Sequence, residues 1–190
     1  MTLLARDTSD IHHDVTWLIG ALARGLMGRA RNPGVLEMLG RLSECDFSQE
    51  RLTNIPPASA PACAHLPEAV TAALKEAREA ASAIAAASEH LPWRADGDGA
   101  ALARVLGREA LMEAQRAAVT LILLAPGASI DIAARRRDAL FFALTGPSRW
   151  RSEGAALLAL APGQTLFVSS GHAVRASTPD TPLLAAMISG

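Results

Sequence analysis

The sequence predicts an α+β protein in which N-terminal helices pack on a C-terminal β-barrel or jelly roll. Apolar residues recur at helical spacing through the first half of the chain. A turn-forming cluster at residues 95–99 (ADGDG) then interrupts this pattern. Beyond it, short apolar runs alternate with turn signals at intervals of about ten residues, which is typical of a small all-β unit. We therefore expect a helical segment over residues 1–93 and a β-barrel over residues 94–190.

Length, composition and charge exclude several classes of protein. The chain has 190 residues, of which 50% are hydrophobic, so it can bury a sizeable core. Its net charge of −1 argues against nucleic acid or an anionic membrane as a partner. Cys45 and Cys63 lie too far apart in sequence for a metal-binding pair, and we find neither a signal peptide nor a membrane-spanning apolar run. We expect a soluble, cytoplasmic protein.

Two helices are predicted near the N-terminus, and the second of them is short. The first is capped by Ser9 or Asp10 and ends near Gly28. Asn32 and Pro33 predict the cap and the first position of the second helix. Their core-facing residues are Ile11, Val15, Leu18, Leu22 and Leu26 in the first helix, and Val35, Leu36, Leu39 and Leu42 in the second.

Pro67 opens the clearest helical pattern in the chain, after a proline-containing connector over residues 46–66. The connector contains Phe47 and Leu52, so we expect it to pack against the core. From Pro67 we expect one continuous helix to about residue 90. Its core-facing residues are Val70, Leu74, Ala77, Ala81, Ile84 and Leu91.

The second half contains about eight candidate strands, enough to close a small barrel. They lie at Ala101–Leu106, Val119–Leu124, Ala139–Leu144, Arg149–Arg151, Ala156–Leu160, Thr165–Val168, Ala173–Ala176 and Leu183–Ile188.

Gly127 and Gly146 bracket a strand-like segment that carries the basic run Arg135–Arg137. Their spacing resembles the first motif of the cupins: Gly, five residues, His, one residue, His, three or four residues, Glu, six residues, Gly. A second cupin-like motif spans residues 162–173, where His172 directly follows Gly171, whereas cupins usually place two residues between this glycine and the histidine. The resemblance implies a cupin barrel, also called a double-stranded β-helix or jelly roll.

Within the cupins, the chain from about residue 60 to residue 190 resembles the dimethylsulfoniopropionate (DMSP) lyases. Several short stretches carry this resemblance together. They are Ala62–Pro67 before the alanine-rich helix, Leu91–Arg94 at the junction, Leu123–Gly127 entering the first motif, Leu144–Gly146 with Arg149–Arg151, and His172–Arg175 with Pro182–Ala185.

The resemblance implies a metal-dependent lyase. In that family two His, one Glu and a further His bind a divalent metal, and a Tyr two positions after the Glu is implicated in abstracting the substrate's α-proton. The reaction is a β-elimination that yields dimethyl sulfide and acrylate. Carried over by position, the metal ligands fall on Ala133, Arg135, Ala139 and His172, and the Tyr falls on Phe141.

Most of these side chains cannot perform the implied roles. Alanine donates nothing to a metal, and a protonated arginine repels a cation. Phenylalanine cannot act as a base, and the chain contains no tyrosine. We therefore expect no metal cofactor and no identified catalytic residue, with His172 as the residual candidate ligand. A rerouted site of Asp131, Asp138 and His172 for Zn, Fe or Mn is kept as the alternative.

Three functional hypotheses stay open. The first is a pseudoenzyme that binds a small carboxylate or other anion, with the five aligned positions as candidate pocket residues. Strand alternation would turn Arg135 and Arg137 one way and Arg136 the other, either at an anion site or at a solvated loop tip. The second is an active DMSP lyase with rerouted ligands. The third is a structural module whose helices mediate dimerisation, and family analogy suggests a homodimer.

Overall fold

The structure confirms the predicted order of helices followed by strands. The computed structural model describes residues 8–29, 31–47, 50–74 and 77–190. Its helices are α1 (Thr8–Met27), α2 (Pro33–Ser43), a 3-10 helix (Pro61–His65), α3 (Leu66–Ala72) and α4 (Arg78–Ala87). Its strands are β1 (Arg94–Ala95), β2 (Ala100–Leu106), β3 (Ala118–Leu124), β4 (Ser129–Ile132), β5 (Ala139–Ala143), β6 (Ser148–Ser152), β7 (Leu158–Leu160), β8 (Thr165–Val168), β9 (Val174–Ser177) and β10 (Leu183–Ser189).

Two antiparallel sheets form the C-terminal half. The larger has six strands in the order β1-β2-β3-β10-β5-β8, and the smaller has four in the order β4-β9-β6-β7. Apolar side chains from both sheets meet in one shared interior. This arrangement confirms the predicted cupin jelly roll with helices packed on it.

Strand alternation divides the apolar residues between two cores. On β5, Ala139, Phe141 and Ala143 point between the two sheets, whereas Leu140 and Phe142 point the other way and pack against the helices. The larger sheet is thus covered by helices on one face and by the smaller sheet on the other. This double coverage explains why β5 is buried at every position.

The start of α2 is set by the cap that the sequence predicts. The side chain of Asn32 accepts a hydrogen bond from the backbone N–H of Gly34 at 2.9 Å, and Pro33 occupies the first helical position. The cap satisfies a backbone donor that would have no partner within the helix.

Asn32→Ala is expected to lower the free energy of unfolding by about 1 kcal/mol, because it removes the cap of α2. Urea denaturation followed by circular dichroism measures the change. Asn32→Asp is the matched control, since it keeps the accepting oxygen and adds a favourable charge at the helix N-terminus. Equal losses in both variants would contradict the capping role.

The single helix expected from residue 67 to about residue 90 is wrong, because the chain divides it into α3 and α4. Ala73, directly after α3, has an extended backbone with φ −65° and ψ 127°. The hydroxyl of Thr71 donates to the carbonyl of Pro67 at 2.9 Å, a bond that often bends helices. The two helices also have different partners: α3 packs on the 3-10 helix and β10, whereas α4 packs along α1. Tertiary packing therefore overrides the local helical pattern.

Two leucines expected in the core are on the surface. Leu36 of α2 and Leu74 after α3 are each 53% exposed. Leu74 follows the break, so it no longer shares a face with the buried residues of α4. In contrast, Phe47 and Leu52 pack against the helical core, as expected for the connector.

None of the helices in the described ranges combines the length and the apolar character that crossing a lipid bilayer requires.

Candidate functional site

The interior of the barrel is filled with apolar side chains. Ala139 and Phe141 point into it and are only 4% and 1% exposed. The ring of Phe141 lies 5.1 Å from that of Trp150 between centroids. The indole N–H of Trp150 donates to the hydroxyl of Ser148 at 2.8 Å. The positions aligned with the family's Glu and Tyr therefore belong to a packed apolar core.

A cavity of about 420 Å³ lies above this interior, at one end of the barrel. We call it the mouth. The pairing of the strands locates this cavity. Ser189, at the end of β10, pairs with Ala118 at the start of β3 and with Ala139 at the start of β5. Thr120 pairs with both Arg104 and Met187. Its lining residues are Leu102, Arg104, Leu106, Gly107, Arg108, Ala114, Gln115, Ala117, Ala118, Thr120, Arg135, Arg137 and Ser189.

The mouth is strongly cationic. Arg104, Arg108, Arg135 and Arg137 line it, and the described lining contains no acidic side chain. Outside this lining, Glu109 pairs with Arg104 at 3.4 Å, and its own side chain is 86% exposed. Arg137 donates to the backbone carbonyl of Gln115 at 3.5 Å. Four guanidinium groups with so few acidic groups to balance their positive charge favour the binding of an anion and disfavour that of a cation.

The guanidinium of Arg135 is partly desolvated at the mouth. The residue as a whole is exposed, yet burial lowers the pKa of its guanidinium, and the charge of Arg104 lowers it further. Because an arginine pKa starts far above neutrality, the group stays protonated at physiological pH. Its charge is therefore held close to another positive charge without an acidic partner among the described ion pairs.

The backbone beside Arg135 is held by the turn between β8 and β9. The N–H of Gly171 donates to the carbonyl of Arg135 at 2.7 Å. The N–H of Ser170 donates to the carboxylate of Asp138, also at 2.7 Å. These bonds fix the loop between β4 and β5 at both ends of the basic run. Arg136 is exposed and does not line the mouth, which is the alternation expected for a strand-like run.

The loop between β2 and β3 forms the opposite wall. Its backbone folds back on β2, because Leu111 donates to the carbonyl of Arg104 at 3.0 Å. The strand register also shifts between Arg104 and Leu106, and such irregularities re-aim side chains. Gly107 has φ +122°, and a Cβ there would lie 2.8 Å from that of Ala118. Glycine is therefore required where this loop leaves the strand.

Two candidate pocket residues lie away from the mouth. Ala133 follows the end of β4 and lines a shallow concavity on the outside of the smaller sheet, beside Arg151 and Arg175. His172 is exposed, and its Nδ1 lies 3.2 Å from the carbonyl oxygen of Ser170. The short turn before His172 explains this outward position. Of the five candidates, Arg135 lines the mouth, while Ala139 and Phe141 lie in the interior below it.

Comparison with known proteins identifies the family of this chain. The family model described as dimethylsulfoniopropionate lyase matches residues 41–185. The chain belongs to the DMSP lyase family. The resemblance deduced from the sequence is therefore confirmed, whereas the loss of the metal motif stays a prediction. No protein with a curated function matches the sequence.

Two solved structures are similar along almost the whole chain. A crystal structure of the DMSP lyases RdDddP and RnDddQII has a TM-score of 0.74 and 19% identity, and the match covers 94% of this chain and 93% of that chain. The DMSP lyase DddQ from Ruegeria pomeroyi DSS-3 has a TM-score of 0.71 and 20% identity, covering 92% and 91%. At this level of identity the likeness establishes the fold.

The donor set at the aligned positions does not fit a divalent metal. Across the described ranges, no three or more His, Cys, Asp or Glu side chains converge in a metal-binding group. The rerouted set does not assemble either, because Asp131 pairs with Arg175 at 3.7 Å while Asp138 accepts from the backbone of Ser170. The positive charge at the mouth would further weaken cation binding.

Cys45 is not activated as a nucleophile. Burial raises the pKa of the Cys45 thiol, and the negative charge of Glu50 raises it further. The thiol therefore stays protonated at neutral pH, and a thiol is a poor nucleophile compared with a thiolate.

Sequence reasoning missed Arg104 and Arg108, which complete the cationic lining. A signal was available for Arg104: Ala100, Leu102 and Arg104 share one face of β2, so the arginine lies on the inward face of a barrel strand. An inward charged residue near a strand end is typical of a barrel opening. Arg108 lies in an irregular loop, where no periodicity predicts its direction.

A further concavity lies on the helices. It is an apolar groove of about 690 Å³ between α1 and α2, bordered by the exposed side chains of Trp17, Met27 and Leu36. The homodimer expected from family analogy stays a prediction.

Proposed function

We propose that this member of the DMSP lyase family is a non-catalytic protein that binds a small carboxylate or related anion at the mouth of its barrel. The observation that carries the proposal is the lining of the mouth, where four arginines surround a cavity of about 420 Å³ without an acidic side chain in the described lining. Arginine binds carboxylates through two parallel hydrogen bonds, which provides both affinity and orientation.

The residues at the former catalytic positions support a binding role over a catalytic one. Abstraction of an α-proton requires a base within hydrogen-bonding distance of the substrate. Ala139 and Phe141 have no proton acceptor, and both are buried in the apolar interior. No other residue in the chain can supply a phenolate, since the sequence has no tyrosine.

The alternative function is an active lyase that binds its metal through rerouted ligands. Two measurements on the purified protein distinguish the alternatives. We expect sub-stoichiometric zinc, iron and manganese by elemental analysis, and no release of dimethyl sulfide from DMSP with each metal added. A stoichiometric, tightly bound metal together with dimethyl sulfide release would refute the non-catalytic proposal.

Arg135→Ala is expected to weaken binding of a carboxylate by about tenfold or more, because it removes a charge-assisted hydrogen bond from the mouth. Isothermal titration calorimetry with propionate and succinate measures the change. Arg136→Ala is the matched control, since it removes the same charge from the same loop at a side chain outside the mouth.

The control variant is expected to bind like the wild type. Similar losses in Arg135→Ala and Arg136→Ala would show that the basic run acts only through its general charge. The absence of saturable binding of either carboxylate to the wild-type protein would refute anion binding at the mouth.

A further inference from the structure

We infer that the ligand of the mouth is a short aliphatic dicarboxylate, with one carboxylate held by Arg135 and the other by Arg104 across the cavity. This inference rests on the proposed anion-binding function and specifies its ligand class.

The first argument is the charge carried by the two walls. Arg104 belongs to β2 and Arg135 to the loop between β4 and β5, so they face the cavity from different elements. Burial is the main cause of the lowered pKa of Arg135, and the positive charge of Arg104 lowers it further, so the two charges interact unfavourably. Glu109 pairs with Arg104 at 3.4 Å from outside the lining, while Arg108, Arg135 and Arg137 have no acidic partner among the described ion pairs. A monoanion would leave most of this charge uncompensated, whereas a dianion would relieve the repulsion between the two walls.

The second argument is the surface between the arginines. Leu102, Leu106 and Ala118 contribute an apolar lining to the same cavity, and Thr120 and Ser189 contribute hydroxyl groups beside it. An inorganic anion such as phosphate has no apolar part to bury against these side chains. A chain of methylene groups between two carboxylates would contact them and gain hydrophobic energy.

The same lining disfavours binding of DMSP, the zwitterion after which the family is named. DMSP has a carboxylate at one end and a positively charged sulfonium at the other. The carboxylate could pair with one arginine, but the sulfonium would then lie among the remaining guanidinium groups without an acidic side chain in the described lining. Like charges confined to one cavity repel, so DMSP should bind more weakly than a dicarboxylate of similar length.

The two walls are also positioned independently of any ligand. Backbone bonds from Gly171 and Leu111 hold Arg135 and Arg104 on their respective sides of the cavity. A dicarboxylate would therefore meet a partly preorganised pair of cations, which lowers the entropic cost of binding.

The test compares four probes by calorimetry at neutral pH and constant ionic strength: succinate, propionate, inorganic phosphate and DMSP. We expect succinate to bind the wild-type protein at least tenfold more tightly than each of the other three. In Arg104→Ala the advantage of succinate over propionate should shrink to less than threefold, while Arg136→Ala should retain it. Arg104→Lys keeps the positive charge but lacks the paired hydrogen-bond donors of arginine. If Arg104→Ala does not fold, this variant is used in its place to measure the preference for succinate.

Each outcome bears on a defined claim. Equal affinity for succinate and propionate would overturn the dicarboxylate inference and leave anion binding at the mouth intact. Tighter binding of phosphate than of succinate would do the same and identify a compact oxyanion as the ligand. Tighter binding of DMSP would also overturn the inference. If none of the four probes binds, both the inference and the proposed function fail.

Discussion

Trp150→Ala is expected to lower the free energy of unfolding by about 3–5 kcal/mol, the range typical of removing a fully buried tryptophan. Trp150 is completely buried between the two sheets and packs against Phe141. The substitution also leaves the hydroxyl of Ser148 without the indole donor it now accepts from. A cavity in the barrel interior and a lost buried hydrogen bond act in the same direction. Chemical denaturation of both proteins under identical conditions measures the difference.

Leu158→Ala is the control for this prediction. Leu158 is the cross-strand partner of Trp150 on β7, but it is 45% exposed. We expect Leu158→Ala to lower the free energy of unfolding by less than about 1 kcal/mol, because removing this side chain leaves no closed cavity. If Trp150→Ala cost no more than Leu158→Ala, the two sheets would not enclose a packed interior, and the description of the lumen would be wrong.

Gly34→Ala is expected to destabilise the protein by about 1–3 kcal/mol through steric overlap in the core. Gly34 is buried in the first turn of α2, and a Cβ at this position would lie 2.3 Å from Cδ2 of Phe167 and 2.7 Å from its Cγ. These atoms belong to a ring packed between β8 and the helix, so the helix or the ring must move. Thermal denaturation shows whether the variant is less stable than the wild type, and urea denaturation measures the change in the free energy of unfolding.

Gly40→Ala provides a control on the same helix with the opposite expected sign. A Cβ at Gly40 would meet no atom within 4 Å, and the residue is exposed. Alanine has a higher helix propensity than glycine, so the substitution should stabilise the protein by about 0.5–1 kcal/mol. A stabilising effect of Gly34→Ala would show that α2 does not contact Phe167 as the structure describes.

Much of the fold could be predicted because its signals are local. Asn32 and Pro33 mark a helix start through their own chemistry, and the structure places the cap there. Each of the eight predicted strands overlaps a strand of the structure, because alternation and turn residues act within a few positions. The four-residue strand β4 was not assigned separately within the strand-like segment. The break between α3 and α4 was missed because it depends on partners far away in sequence.

The candidate site was only partly predictable. The frame of Gly127 and Gly146 indicated the barrel correctly, and alternation indicated that Arg135 and Arg137 share a direction distinct from that of Arg136. The positions of Ala133 and His172 could not be deduced, since they depend on where β4 ends and on the shortened turn before β9. Arg104 and Arg108 reach the mouth from a strand and a loop that precede the cupin motif.

Local sequence patterns were thus sufficient for the order of helices and strands and for the cupin frame, because each depends on residues close together in the chain. The convergence of four arginines on one cavity was decided by folding, because β2, its following loop and the loop after β4 meet only through strand pairing. The same pairing buries Ala139 and Phe141 beneath that charge. The sequence predicts that the family's metal and base chemistry is lost, and the arginine lining of the mouth supports the anion binding that we propose.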